Sequence, residues 1–237
     1  MSCRAIFLDF DDTLHDYRGA YNRAFERATA PICAAAGVAA TDLRQRCQAP
    51  WAAIWEDFVA GRMDEEGLWA ARTAAVLAEA GLPPDAEAAS GFTGRHLAAM
   101  ASELRLFADA AEALDLVHSR RPRPLLAILT NGPQSVQRRR IDQLGLSSRV
   151  DFVVVSGELG VAKPDLAFFT AALRQADCAA ADAVMIGDNP VADIAGAKAA
   201  GLRAVWVDRA GGEWTATGAR PDAAFPDLVG AVRWALD

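Results

Sequence analysis

Short apolar runs recur along this chain, each followed by polar residues and then by a segment of helical periodicity. Residues 5–8 (Ala-Ile-Phe-Leu) form the first run, and 125–129, 152–156, 183–186 and 204–207 repeat the type. Nearly continuous apolar runs of this length suit strands buried on both faces, as in the middle of a parallel sheet. Helices are predicted over 109–118, from Pro133 to a stop at Gly145, over 164–176, over 190–200, and at the C-terminus to Leu236, with a short strand near 223–225. This alternation predicts a doubly wound, Rossmann-like α/β domain built on a parallel sheet.

Between the first two runs the pattern changes. From His15 to about Glu103 the chain is rich in alanine and reads as helix throughout, with no strand. Residues 17–36 read as one helix that ends at Gly37. Pro50 reads as the start of a second, on which Trp51, Ile54, Trp55 and Phe58 share a face. Asp64 or a neighbour is expected to cap a third that runs to Gly81, and Pro83-Pro84 break the chain before a fourth over 85–101. Helices without strands, placed inside an α/β pattern, predict a separate helical domain. The expected organisation is a discontinuous α/β core, 1–14 with 106–237, and an inserted all-helical domain over 15–105. The tryptophans are expected to form the core of the insert, with a substrate-facing role for Trp51, Trp55 or Trp69 as the alternative.

Composition narrows the function. The chain has 237 residues, 52% hydrophobic and 23% charged, which is ordinary for a globular protein. A formal net charge of −7 argues against a broad nucleic-acid surface. No apolar stretch approaches the roughly 20 residues of a membrane span. The opening MSCRAIFLDF enters the first strand directly, which leaves no room for a signal peptide and makes a cytoplasmic location the expectation. Cys3, Cys33, Cys47 and Cys178 show no paired spacing, so neither disulfides nor a zinc site is expected. His15, His96 and His118 are scattered and read as surface or helix-end residues, and Arg138, Arg139 and Arg140 as the wet side of their helix.

The candidate chemistry lies where the strands stop. The first run ends in Asp9-Phe10-Asp11-Asp12-Thr13, the second in Thr130-Asn131-Gly132, and the fourth in Gly187-Asp188, with Asp193 beyond; a loop carries Lys163-Pro164. In open parallel sheets ligands bind beyond the carboxyl ends of the strands, so these groups share one rim. Strand periodicity points Asp9 and Asp11 the same way. Adjacent carboxylates repel unless a cation or a shared proton intervenes. Asp9, Asp11 and Asp188 form a hard, oxygen-rich set suited to Mg2+. Lys163, Thr130 and Asn131 suit an anion, for which phosphate is the obvious candidate.

These four elements, in this order, resemble the haloacid dehalogenase superfamily. Its pattern is DxDx[TV] after the first strand, Ser or Thr after the second, a Lys, and then GDxxxxD. Here those are Asp9-Phe10-Asp11-Asp12-Thr13, Thr130, Lys163 and 187–193 (Gly-Asp-Asn-Pro-Val-Ala-Asp). The helical insert sits where that family's type 1 cap does, so the resemblance spans the chain. Around Thr130 and Lys163 it is similar to small-molecule phosphatases, pyrimidine nucleotidases included.

The resemblance implies roles. Asp9 is the nucleophile that forms an aspartyl-phosphate, and Asp11 the general acid and then base, protonated when substrate arrives. Magnesium is held by the carboxylates of Asp9 and Asp188 and by the backbone carbonyl of Asp11. Thr130 and the backbone of Asn131 hold phosphoryl oxygens, Lys163 offsets charge, Asp193 positions Lys163 or a metal-bound water, and Thr13 supports the loop. The expected substrate is a small phosphorylated metabolite, with no nucleic-acid polymer and no membrane as partner, and the chain a monomer or homodimer.

A 2-haloacid dehalogenase would not need Asp11, since halide leaves without a proton. A phosphomutase would share every core residue. Phosphonate hydrolysis in this family needs a cap lysine, and 15–103 contains none. A non-catalytic binding protein would be expected to have lost one of Asp9, Asp11, Lys163 or Asp188. Arg62, Arg95 and the tryptophans of the insert are candidates for setting specificity.

Overall fold

The structure is a computed structural model that describes residues 3–237 except 213, 215 and 217. The chain forms two compact units, one of residues 1–16 with 105–237 and the other of Tyr17–Leu104.

The first unit is built on a parallel sheet. Its strands are β1 (Ala5–Leu8), β2 (Leu125–Thr130), β3 (Phe152–Val155), β4 (Ala183–Gly187), β5 (Arg203–Val207) and β6 (Ala223–Phe225), in the order β3-β2-β1-β4-β5-β6. Every pairing is parallel, and Leu8 of β1 lies opposite Ile128 of β2 and Ile186 of β4. The order reverses between β1 and β4, which makes that junction the switch point where such sheets bind ligands.

Alternation along the strands supplies a core on each face. Ile6, Leu8, Ile128, Val184 and Val205 face one side, packed against Ala113, Leu114 and Val117 and against Leu228, Val232 and Ala235. Phe7, Ala127, Leu129 and Met185 face the other, against Phe168, Phe169 and Ala197. The apolar runs are therefore continuous because neither face is wet.

The second unit is helical: α1 (Tyr17–Ala36), α2 (Ala40–Val59), α3 (Glu65–Ala80) and α4 (Phe92–Ser102). The remaining helices belong to the first unit: α5 (Ala110–Ser119), α6 (Gln134–Gln143), the single turn α7 (Ser156–Leu159), α8 (Leu166–Gln175), the short α9 (Gly196–Ala199) and α10 (Leu228–Leu236). Asp64 caps α3 by accepting from Gly67 N–H, and Gly81 ends it in the left-handed conformation.

Three segments differ from the sequence expectation. Pro50 lies inside α2 rather than opening a helix. Leu43, Cys47 and Trp51 bury one face at i, i+4 and i+8, and that packing outweighs the roughly 3 kcal/mol that an internal proline costs. The fourth helix begins at Phe92, not near 85, because Gly91 takes φ +67° and interrupts the backbone after a single 3-10 turn at Glu87–Ala89. The segment expected as a plain helix over 190–200 is a wide π turn, Pro190–Ala195, followed by α9.

All four cysteines are free. Among the described residues no helix is long and apolar enough to cross a membrane.

Candidate active site

The rim beyond β1, β2 and β4 gathers the polar strand ends around one lysine. Lys163 is buried, and its ammonium donates to Asp9 Oδ1 at 2.6 Å, to Asp193 Oδ1 at 2.6 Å and to the Leu129 carbonyl at 2.7 Å. An ammonium has three N–H donors, so all are used. Asn131 fixes the loop that delivers this lysine: its Nδ2 donates to Lys163 O at 2.8 Å, and its Oδ1 accepts from Lys163 N–H at 2.9 Å. The side chain of Asn131 is thus spent on the loop. Asp193 accepts through its second oxygen from Asn189 N–H at 3.0 Å. Gly187 makes room for that carboxylate, since a Cβ there would lie 2.3 Å from Asp193 Oδ2.

Charge at this point is crowded. Burial pushes the Asp9 carboxyl well above the usual carboxylate range; Lys163 pulls it back, while Asp193 and Asp188 push it further up. Burial works to depress Lys163, but Asp193 and Asp9 outweigh it and raise its value. One carboxylate oxygen each from Asp9, Asp188 and Asp193 lies within 4.8 Å of the others. Hard oxygen donors at that spacing fit Mg2+, and a cation would relieve the repulsion that Lys163 only partly offsets. Asp193 has a hydrogen bond on each oxygen, which favours Asp9 and Asp188 as carboxylate ligands.

Asp11 stands apart from this cluster in a second network. Arg140 bonds both of its oxygens, Nη2 to Oδ1 and Nη1 to Oδ2 at 3.2 Å. Gln137 Nε2 reaches Asp11 Oδ2 at 3.2 Å and Thr130 Oγ1 at 2.6 Å, while Gln137 Oε1 accepts from Arg140 Nη1 at 2.6 Å. One amide therefore ties Thr130 to Asp11. Asp12 turns the chain at φ +60°, a conformation aspartate tolerates better than most residues. Thr13 is fully buried, and its carbonyl accepts from Arg209 Nη2 at 2.7 Å.

Several sequence expectations need correction. Arg140 is not on the wet side of α6 but buried against Asp11; only Arg139 is exposed, while Arg138 is half-buried and pairs with Glu158 at 2.6 Å. The signal was present, because Gln137, Arg140, Ile141 and Leu144 follow the i, i+3, i+4, i+7 spacing of one helix face. His15 and His96 are buried rather than at the surface. Of the specificity candidates, Arg62 pairs with Asp57 at 2.6 Å, and Arg95 is spent on the carbonyls of Ala28, Ala88 and Ser90. Trp51 is buried in the helical core with Phe25, Ile32 and Val76.

A switch-point rim of carboxylates around a saturated lysine, on a doubly wound parallel sheet with a helical insert, defines a class of α/β hydrolases. The chain belongs to the haloacid dehalogenase-like hydrolase family, whose model matches residues 3–201. The phosphoserine phosphatase of Thermus thermophilus is 44% identical over 126 residues, which is 52% of this chain and 47% of that protein. The chain thus spans about half the length of such curated relatives. The HAD-hydrolase YfnB of Bacillus subtilis, solved bound to magnesium, matches the fold with a TM-score of 0.78 at 22% identity over 99% of both chains. A 2-haloacid dehalogenase from Pseudomonas syringae matches with a TM-score of 0.69 at 27% identity, over 99% of this chain and 100% of that one.

Proposed function

We propose that this chain is a magnesium-dependent phosphohydrolase that cleaves a small-molecule phosphomonoester through an aspartyl-phosphate on Asp9. The observation that carries the reading is Asp11, a second acid two residues after Asp9, bonded through Gln137 to Thr130. Halide departure needs no such acid, whereas an alkoxide does. The phosphatase relative supports the same choice, and the dehalogenase neighbour makes the competing one explicit.

Lys163 grips Asp9 Oδ1 and so fixes the orientation of the carboxylate. In the first step an Asp9 oxygen bonds to phosphorus as the ester P–O bond breaks, and Asp11 gives its proton to the departing alkoxide. In the second, water attacks phosphorus, Asp11 takes its proton, and Asp9 leaves as a carboxylate with inorganic phosphate released. The Arg140 pairing suits the second step, where Asp11 must be an anion; for the first, Asp11 has to bring a proton to the site. Thr130 and the Asn131 main chain bind the phosphoryl oxygens. Asp9 and Asp188, with the Asp11 carbonyl, would hold Mg2+, which when bound neutralises charge on the transferring group.

The test is phosphate release from a panel of phosphomonoesters, with magnesium and with chelator, for wild type and Asp9→Asn, with halide release from 2-haloacids run beside it. Magnesium-dependent phosphate release that disappears in Asp9→Asn is expected. Halide release without phosphate release would replace this reading with dehalogenation.

A further inference from the structure

The helical unit buries a cation with no partner of the usual kind. Arg72 on α3 is 8% exposed, and its guanidinium carbon lies 4.7 Å from the ring centre of Trp51, 5.4 Å from that of Trp69 and 5.8 Å from that of Trp55. Among the described residues no carboxylate, carbonyl or hydroxyl accepts a hydrogen bond from it, and its Nε is buried without a partner.

Two more nitrogens in the same cluster share that condition. Trp51 Nε1 and His96 Nδ1 are both buried and unbonded. The rings of Trp51 and His96 stand 5.9 Å apart, and Trp69 and His96 6.3 Å apart. Burial, with Arg72 next, lowers the His96 pKa to about 4, so the imidazole is neutral at ordinary pH and does not compete as a cation. His96 therefore adds no second positive charge beside Arg72.

Indole faces attract a guanidinium, but they replace few of the hydrogen bonds its five N–H groups make in water. A cation with a buried, unmatched donor, as Arg72 has at Nε, is costly and is normally paired. The group that satisfies a guanidinium and an indole N–H together, and the imidazole when its proton is on Nδ1, is an oxyanion, which accepts at several lone pairs. Trp55 and Trp69 are only half-buried, so the cage reaches solvent at its edge. We infer that Arg72, with Trp51 and His96, forms an anion-binding site in the helical unit that takes a small-molecule carboxylate or phosphate group. This site does not depend on the proposed hydrolysis.

The test reads the indole N–H signals of 15N-labelled full-length protein in chelator while inorganic phosphate, and separately succinate, is titrated in. Single Trp→Phe variants assign the signals. Saturable shifts at Trp51, Trp55 and Trp69 are expected with at least one anion, and Arg72→Met should weaken that affinity by about tenfold or more. Arg72→Lys keeps the charge and should keep part of the binding. Whichever anion shifts the three signals names the group. Trp206, whose Nε1 bonds the Asp188 carbonyl at 2.8 Å, reports the acidic rim separately, so phosphate binding there is not mistaken for binding at Arg72. Shifts confined to Trp206, no saturable shift with either anion, or equal affinity in wild type and Arg72→Met would each overturn the proposal. If Arg72→Met fails to fold, the wild-type titration and Arg72→Lys still decide it.

Discussion

The two units bury positive charge in opposite ways. In the α/β unit, Lys163 has an acceptor for each N–H, and Arg140 is matched to Asp11 and Gln137. In the helical unit, Arg72 faces three indoles, and among the described residues none accepts a hydrogen bond from it. A saturated cation is held at one position by bonds of fixed length and direction, which is what orienting a nucleophile requires. A cation against aromatic faces keeps donors unspent, which is what receiving a ligand requires. Burial alone does not distinguish the two; the count of acceptors does.

The largest expected break in this contrast is Lys163→Met. It leaves the Asp9 and Asp193 carboxylates buried beside each other without their shared cation, and losing one partner of a buried pair costs about 3–5 kcal/mol. Urea denaturation in chelator should show a much lower midpoint; an unchanged midpoint would mean these bonds hold little.

In the helical unit the corresponding probe is His96. Its folded pKa of about 4 lies below the ordinary value of 6.5, so between these values the unfolded chain binds the extra proton. The contribution is fully present above about pH 6.5 and is lost as pH falls toward 4, amounting to about 3 kcal/mol over that window. His96→Leu should flatten this part of the stability profile, measured by denaturant melts at a series of pH values. A profile identical to wild type would remove His96 from the account.

Arg140→Met sharpens the view of the α/β unit. With Asp11 no longer held, kcat on alkyl phosphates should fall about 10²-fold, the lower range for losing a positioned proton-transfer group. Because the Arg140 pairing suits the second step, which is common to every substrate, the loss should be at least as large on an aryl phosphate with a good leaving group. A loss confined to alkyl phosphates would instead tie Arg140 to departure of the alcohol. The smallest effect is expected from Asp64→Ala, which removes the bond to Gly67 N–H at the start of α3 and costs about 1 kcal/mol in a thermal melt.

The same contrast explains what could be read from the chain. The sheet was legible because strands buried on both faces leave unbroken apolar runs, and the rim because polar residues follow those runs directly. Asp9, Lys163, Asp188 and Asp193 come together as that pattern suggests. Arg140 was hidden in a triplet of arginines, which reads as solvated unless Gln137 and Ile141 are counted on the same face. Arg72 was hidden for a related reason. It sits in the stripe Leu68, Arg72, Val76, Ala80 at i, i+4, i+8, i+12, all buried, but a cation in such a stripe reads as an interruption. The interior position of Pro50 could not be read locally, because packing across helices decided it.

The insertion point carries a consequence for how the chain is made. β1 is one of the two central strands, yet its neighbours β2 and β4 lie beyond the whole helical unit in sequence. As the polypeptide leaves the ribosome, Tyr17–Leu104 has all of its own helices available before either neighbour of β1 exists. The strand that leads into Asp9 is therefore synthesised first among the described strands of the sheet and paired late. In the meantime it is an apolar segment without a partner, the kind of segment that chaperones bind.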